Sequence, residues 1–151
     1  MSFHGSWCIV ANIKVAEYST MLSTGPACSR VELRGGTKTS TMWSGIVWAT
    51  NSIGVFGPVC DDYFVDGPDD SWWITADDNN AATVVCRQLG YDRGEVLGED
   101  EGSARFGDID PATFSLDNVK CAGGEDCLSD CPHLTEDNCN AGEGAGLICY
   151  M

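Results

Sequence analysis

At 151 residues, with 23 acidic against 8 basic side chains, the chain has the length of one domain and a formal net charge of −15. That charge excludes nucleic acid and anionic membrane surfaces as partners, since both would be repelled; cations, basic proteins and anionic ligands bridged by a divalent metal remain. Nine cysteines at this length point to an oxidising compartment, where crosslinks compensate for a modest core, and no stretch is long or apolar enough to insert into a bilayer.

The first residues, Met-Ser-Phe-His-Gly-Ser-Trp-Cys, lack the basic patch and apolar run of a signal peptide. With export implied by the cysteines, the sequence reads as a mature form or a piece of a longer chain. There is no Asn-x-Ser/Thr acceptor for N-glycosylation. Residues 1–30 read as an N-terminal appendage, with a strand over Ile9 to Tyr18 and a turn at Ser23 to Pro26. Cys8 and Cys28 bracket it and can close it as a loop. From Val31 to Met151 the texture is that of a domain. Strands are expected at Val31–Gly36, Trp43–Thr50 and Ile53–Cys60, the last two separated by Asn51-Ser52.

An acidic, turn-rich loop follows, Asp61 to Asp70, and then Ser71-Trp-Trp-Ile74. The stretch Thr75 to Gly90 predicts the chain's one helix. It opens on small polar capping residues and closes on a glycine suited to the left-handed C-terminal position. Ala82, Val85, Cys86 and Leu89 share its inner face, leaving Arg87 and Gln88 on the solvent side. A second acidic loop, Glu95 to Glu101, leads to Arg105-Phe-Gly107. Thr113 to Lys120 alternates as a strand, with Phe114, Leu116 and Val119 set for burial. Residues 121–151 hold five cysteines and many glycines, a crosslinked loop region closing on a buried strand at Ala145–Cys149.

Six motifs in order carry a resemblance: Val31–Gly36, Gly57–Asp62, Val84–Gly90, Leu116–Cys121, Asp130–His133 and Ala145–Cys149. Together they resemble the scavenger receptor cysteine-rich (SRCR) domain. The resemblance implies an α+β fold: a curved antiparallel β-sheet cradling one short α-helix, rich in loops and stapled by disulfides. It implies the pairs Cys60–Cys139, Cys86–Cys149 and Cys121–Cys131. Trp43 and Tyr91 stand where the eight-cysteine subgroup has its extra pair, which places the chain with the six-cysteine (group A-like) subgroup. Three features depart from the family: a longer loop between Cys60 and Cys86, the N-terminal thirty residues, and the additional Cys8, Cys28 and Cys127. For these, Cys8–Cys28 is the preferred pair, leaving Cys127 free or bonded to another molecule. The alternative pairs Cys127 with Cys8 or Cys28 and pins the appendage to the domain.

Asp61 and Asp62 follow directly on Cys60, and carboxylates gathered on a loop suit Ca²⁺, a hard ion taking six to eight oxygens. The resemblance carries a calcium-ligand role to Asp61, Asp62 and Glu143, although Gly144 replaces a further family acid. It suggests a second cation site at Asp77, Asp78, Asn80, Asp117 and Asn118, where Ala81 replaces a common acid; Asp77 or Asp78 also suits a helix cap. Trp72 and Trp73 are candidate ligand contacts, tryptophan being enriched at binding hot spots, or anchors of the long loop on the core. Cys121, Cys127, Cys131, His133 and Cys139 are zinc-ligand types without paired C-x₂-C spacing, so zinc is not expected. His4 and His133 are the only histidines, neither in a nucleophile motif, so an enzyme is not expected. Arg30, Arg34, Arg87, Arg93 and Arg105 look scattered, which disfavours direct binding of polyanions.

The reading is an extracellular ligand-recognition module, secreted or the ectodomain of a larger protein. It would engage an extracellular protein, or an anionic ligand bridged by Ca²⁺, with no organic cofactor. The alternative is a structural subunit of an extracellular assembly, joined to itself or to a partner subunit through its extra cysteine or N-terminal segment. A third possibility is a regulatory module within a larger enzyme.

Overall fold

A computed structural model of the chain describes residues 27–64, 79–110 and 113–151. The strand expected at Ile9 to Tyr18, the turn at Ser23 to Pro26, and Cys8, Trp72, Trp73, Asp77 and Asp78 lie outside these residues. Five strands form one antiparallel sheet: β1 Val31–Lys38, β2 Met42–Thr50, β3 Phe56–Pro58, β4 Arg93–Val96 and β5 Gly146–Tyr150. Their order is β1-β2-β5-β4, with β3 also paired to β2. Strand alternation splits β2 between two faces. Val47 and Ala49 join Leu33, Leu147 and Cys149 in the main core, whereas Ile46 turns to a smaller cluster with Cys60, Ile109 and Phe114.

Helix α1, Asn80–Gln88, closes the main core with Ala81, Ala82, Val84, Val85 and Cys86. Its inner face is thus broader than the 3.6-residue pattern indicated. Gly90, at φ +89°, ends it in the conformation expected of a C-terminal glycine. Asn79, before the first turn, makes no capping bond; its Oδ1 accepts the Val96 N–H at 2.9 Å and fastens β4 to the helix. β4 also lies close to α1 at Gly94, where an added Cβ would fall 2.4 Å from the Cys86 Sγ. Only glycine admits the helix and its disulfide there.

Two sequence-expected strands are corrected. From Ile53 to Cys60 only Phe56–Pro58 is a strand, because Asn51 captures the preceding residues in a turn. Its Oδ1 accepts the Ile53 and Val55 N–H groups at 3.1 and 2.9 Å, while its Nδ2 donates to the Ser115 carbonyl at 2.8 Å. Asn51 is 3 % exposed. Asn51→Ala strands these groups and is expected to destabilise the domain by about 2 kcal/mol, read as a lower urea midpoint at unchanged slope. From Thr113 to Lys120 there are only isolated bridges, Val59 with Leu116 and Asp117 with Leu134, because Asn118 turns left-handed at φ 51°. Phe114, Leu116 and Val119 are nevertheless buried. The acidic segment read as a loop includes part of β4 and the start of a short helix, α2 Glu101–Phe106, both too brief to show a period.

Four disulfides staple the domain: Cys60–Cys139, Cys86–Cys149, Cys121–Cys131 and Cys28–Cys127. The fourth corrects the preferred assignment. Cys28 is not joined to Cys8, and Cys127 is neither free nor intermolecular. The cause is Gln88, half-buried rather than on the solvent side of α1. Its Nε2 donates to the Ser29 carbonyl at 2.7 Å and its Oε1 accepts the Leu128 N–H at 2.9 Å. One side chain thus holds the residue after each cysteine of the bridge. With Thr50 N–H donating to the Arg30 carbonyl, residues 28–30 are fastened to the domain although they fall on the appendage side of the expected boundary.

Candidate functional site

The acidic site is built where the Cys60–Cys139 bridge draws two loops together. Asp61 N–H donates to the Glu143 carbonyl at 2.8 Å, and Cys60 bridges to Gly144. The carboxyl of Asp61 is buried, at 2 % residue exposure, and its Oδ2 accepts the Asp100 N–H at 2.7 Å. Burial pushes this carboxyl up to about 6; the Asp100 N–H opposes the rise, while the charges of Asp100, Asp62 and Glu143 add to it. Four carboxylates therefore share one electrostatic neighbourhood.

Asp100 was not singled out from sequence. Its only signal was membership of the acidic run ahead of Gly102, and its left-handed backbone, φ 60°, aims its N–H at Asp61. Glu143 is half-exposed and its Oε2 accepts the Asn140 N–H at 2.5 Å.

The expected metal sets regroup in the structure. Among the described residues, Asp62 and Asp117 have donor oxygens within 4.8 Å of each other and of the Cys60 and Cys139 sulfurs. Cys121, Glu125 and Cys131 form a second group. The cysteines of both are in disulfides and cannot serve as thiolate ligands. Asp117, expected in the second cation site, thus sits beside Asp62, and Asp117 Oδ1 accepts the Asn118 N–H at 2.7 Å. Asn80, from the same expected set, lies against Gly123. His133 is hydrogen-bonded at both ring nitrogens, to the Cys131 carbonyl at 2.8 Å and Ser52 Oγ at 3.2 Å.

These oxygens suit calcium by chemistry. They are hard donors, one carboxyl is buried among like charges, and backbone carbonyls lie at the loop crossing. A divalent cation would offset both the burial and the neighbouring charges that hold Asp61 toward its protonated form. The donor oxygens of Asp61, Asp62 and Glu143 do not all lie within 4.8 Å of one another, so these side chains would have to converge to hold the ion, which would then present open coordination positions to an anionic group.

A second polar assembly covers the other face of the sheet. Arg30, Glu32 and Arg34 alternate along the β1 edge, so they line one face. Arg30 stacks at 4.1 Å from the Phe56 centroid and Arg34 at 4.1 Å from that of Trp48. Glu32 bridges both guanidinium groups, at 2.7 Å to Arg30 Nη2 and in a close contact with Arg34 Nε. Burial alone would raise the Glu32 carboxyl, but hydrogen bonds from Arg30 and Arg34 hold it below the usual carboxylate range. Two arginines that looked scattered are therefore neighbours, while Arg87 donates to the Gly123 carbonyl and Arg93 lies over Tyr150.

Comparison with known proteins gives a consistent result. The scavenger receptor cysteine-rich domain profile matches residues 37–150. The macrophage receptor MARCO of Mus musculus is 36 % identical over 122 residues, covering 80 % of this chain and 18 % of that receptor. A scavenger receptor cysteine-rich domain superfamily protein of Patiria pectinifera is 39 % identical over 83 residues, 52 % of this chain and 7 % of its own length. The chain thus spans less than a fifth of either relative. Among solved structures, the dimeric form of the SRCR domain of mouse MARCO superposes with a TM-score of 0.53 at 30 % identity, covering 76 % of this chain and 93 % of that one.

Proposed function

Since this chain belongs to the scavenger receptor cysteine-rich domain family, we propose that it is an extracellular ligand-recognition module whose acidic loops hold Ca²⁺ through Asp61, Asp62 and Glu143. The observation that carries this reading is the buried Asp61 carboxyl surrounded by Asp62, Asp100 and Glu143, pushed up to about 6 by burial with those neighbouring charges adding to it. The bound ion bridges to an anionic ligand, while the surrounding acid attracts basic segments of a protein partner. Four disulfides and the receptor relatives support an extracellular setting.

Calcium at about a hundredfold excess over its Kd should add about 2.7 kcal/mol of stability, visible as a higher melting temperature than in chelator. Asp62→Ala and Glu143→Ala should each abolish that gain; Glu143→Ala also loses the hydrogen bond from the Asn140 N–H, so its own melting temperature in chelator is the reference for its response. An unchanged wild-type melting temperature across calcium concentrations removes the metal from the reading.

The alternative, a subunit of an extracellular assembly, loses its covalent route through Cys127, which is paired within the chain. Non-covalent self-association keeps one support: among the described residues β1 is an edge strand, and the solved relative is a dimeric form. Sedimentation equilibrium decides between monomer and dimer.

A further inference from the structure

On the face opposite α1 the sheet carries a cleft of about 180 Å³, far from drug-sized, between β1–β2 and the segment that follows α2. Buried Ile46 and Ile109 line it, with the half-buried rings of Trp48 and Phe106. Arg34, Asp108 and Asp110 supply its polar lining. We propose that this cleft is a carbohydrate subsite that takes one neutral sugar ring, independently of the acidic cluster and its calcium.

Three observations select that chemistry. Arg34 is pre-oriented: its guanidinium lies over Trp48 and its Nε is spent on Glu32, yet among the described residues no hydrogen bond engages its terminal nitrogens. It offers fixed donors without having to be ordered on binding. Asp108 and Asp110 are exposed and make no hydrogen bond or ion pair among the described residues, so they offer acceptors at the same opening. Directional donors and acceptors around apolar walls match the alternating hydroxyl and C–H surfaces of a pyranose. A sulfate or phosphate would meet the two aspartates within a chain of net charge −15, and a lysine side chain, though attracted by those aspartates, has no acceptor for the Arg34 donors. A neutral polyol meets no like charge and engages the donors and the acceptors together.

The test is a titration of the ¹⁵N-labelled chain with methyl pyranosides of the common neutral hexoses and of fucose, in chelator, followed by NMR. Saturable shifts in the millimolar range are expected at the Trp48 indole N–H and the Gly35 and Gly107 amides. Arg34→Ala and the double variant Asp108→Ala/Asp110→Ala should each weaken binding about fivefold, as for a lost hydrogen bond. Dispersion of the remaining amides reports that each variant is folded. The proposal is overturned if no neutral pyranoside shifts these signals, if sulfated sugars or a lysine peptide alone do so, or if the shifts map to Asp61 and Asp100. Loss of calcium binding with sugar binding intact would leave this subsite standing by itself.

Discussion

Replacing Cys86 and Cys149 together by alanine is expected to remove about 4 kcal/mol of stability, the chain-entropy value for a bridge of sequence separation 63. That is comparable to the whole stability of many domains of this size. The bridge ties α1 to β5, and both cysteines are fully buried among the residues that join helix to sheet. Truncation also leaves a void where Gly94 approaches the Cys86 sulfur. The variant should therefore show a non-cooperative thermal transition and weak near-ultraviolet circular dichroism. Opening Cys28–Cys127 by the same double substitution should cost less than its longer span implies, because Gln88 still holds Ser29 and Leu128 in place. A Cys86/Cys149 variant that melted cooperatively near the wild-type temperature would show that packing, and not sulfur, fixes helix to sheet.

How far the fold could be read beforehand depended on whether a segment's order is local. β1, β2 and α1 are long enough for their patterns to be read, and β5 shows as a short apolar run after a glycine-rich stretch, so their places followed. β3 shrank because one buried side chain, Asn51, diverts the strand into a turn, and capture by Asn51 of N–H groups two and four residues on leaves no mark in hydropathy. β4 and α2, of four and six residues, are too short to repeat, and their order comes from Asn79 and from pairing with β5. Gln88 is the clearest case of a tertiary override. Its position on a helical wheel faces outward, but two backbones from opposite ends of the sequence meet there.

The acidic site was only half visible for the same reason. Adjacency in the chain gave Asp61 and Asp62, and family likeness gave Glu143. Asp100 comes from a loop some forty residues away, and nothing but the folded backbone brings its N–H to Asp61. Asp117, assigned to another cation set, lies beside Asp62 for the equally non-local reason that Leu116 bridges to Val59. Likewise Arg30 and Arg34 read as isolated charges until β1 pairs with β2 and sets them over Phe56 and Trp48.

Asp61 also sets an unusual pH dependence. Its carboxyl titrates near 6 when folded, against an ordinary value of 3.8. Between those values the folded chain holds a proton that the unfolded chain has released. Stability in chelator should therefore rise as the pH falls through this window, and fall as the pH rises through 6. Calcium bound as proposed should reverse the trend, because the ion requires the ionised carboxylate and so competes with the proton. Melting temperatures with and without calcium should lie far apart above pH 6 and converge below it. Asp61→Asn keeps an oxygen to accept the Asp100 N–H while removing the charge. It should melt higher than wild type in chelator at neutral pH, lose that part of the pH dependence, and gain nothing from calcium. A variant that still responded to calcium like wild type would place the ion elsewhere. A wild-type profile in chelator that is flat between 3.8 and 6 would mean that the buried carboxyl is not the group under strain.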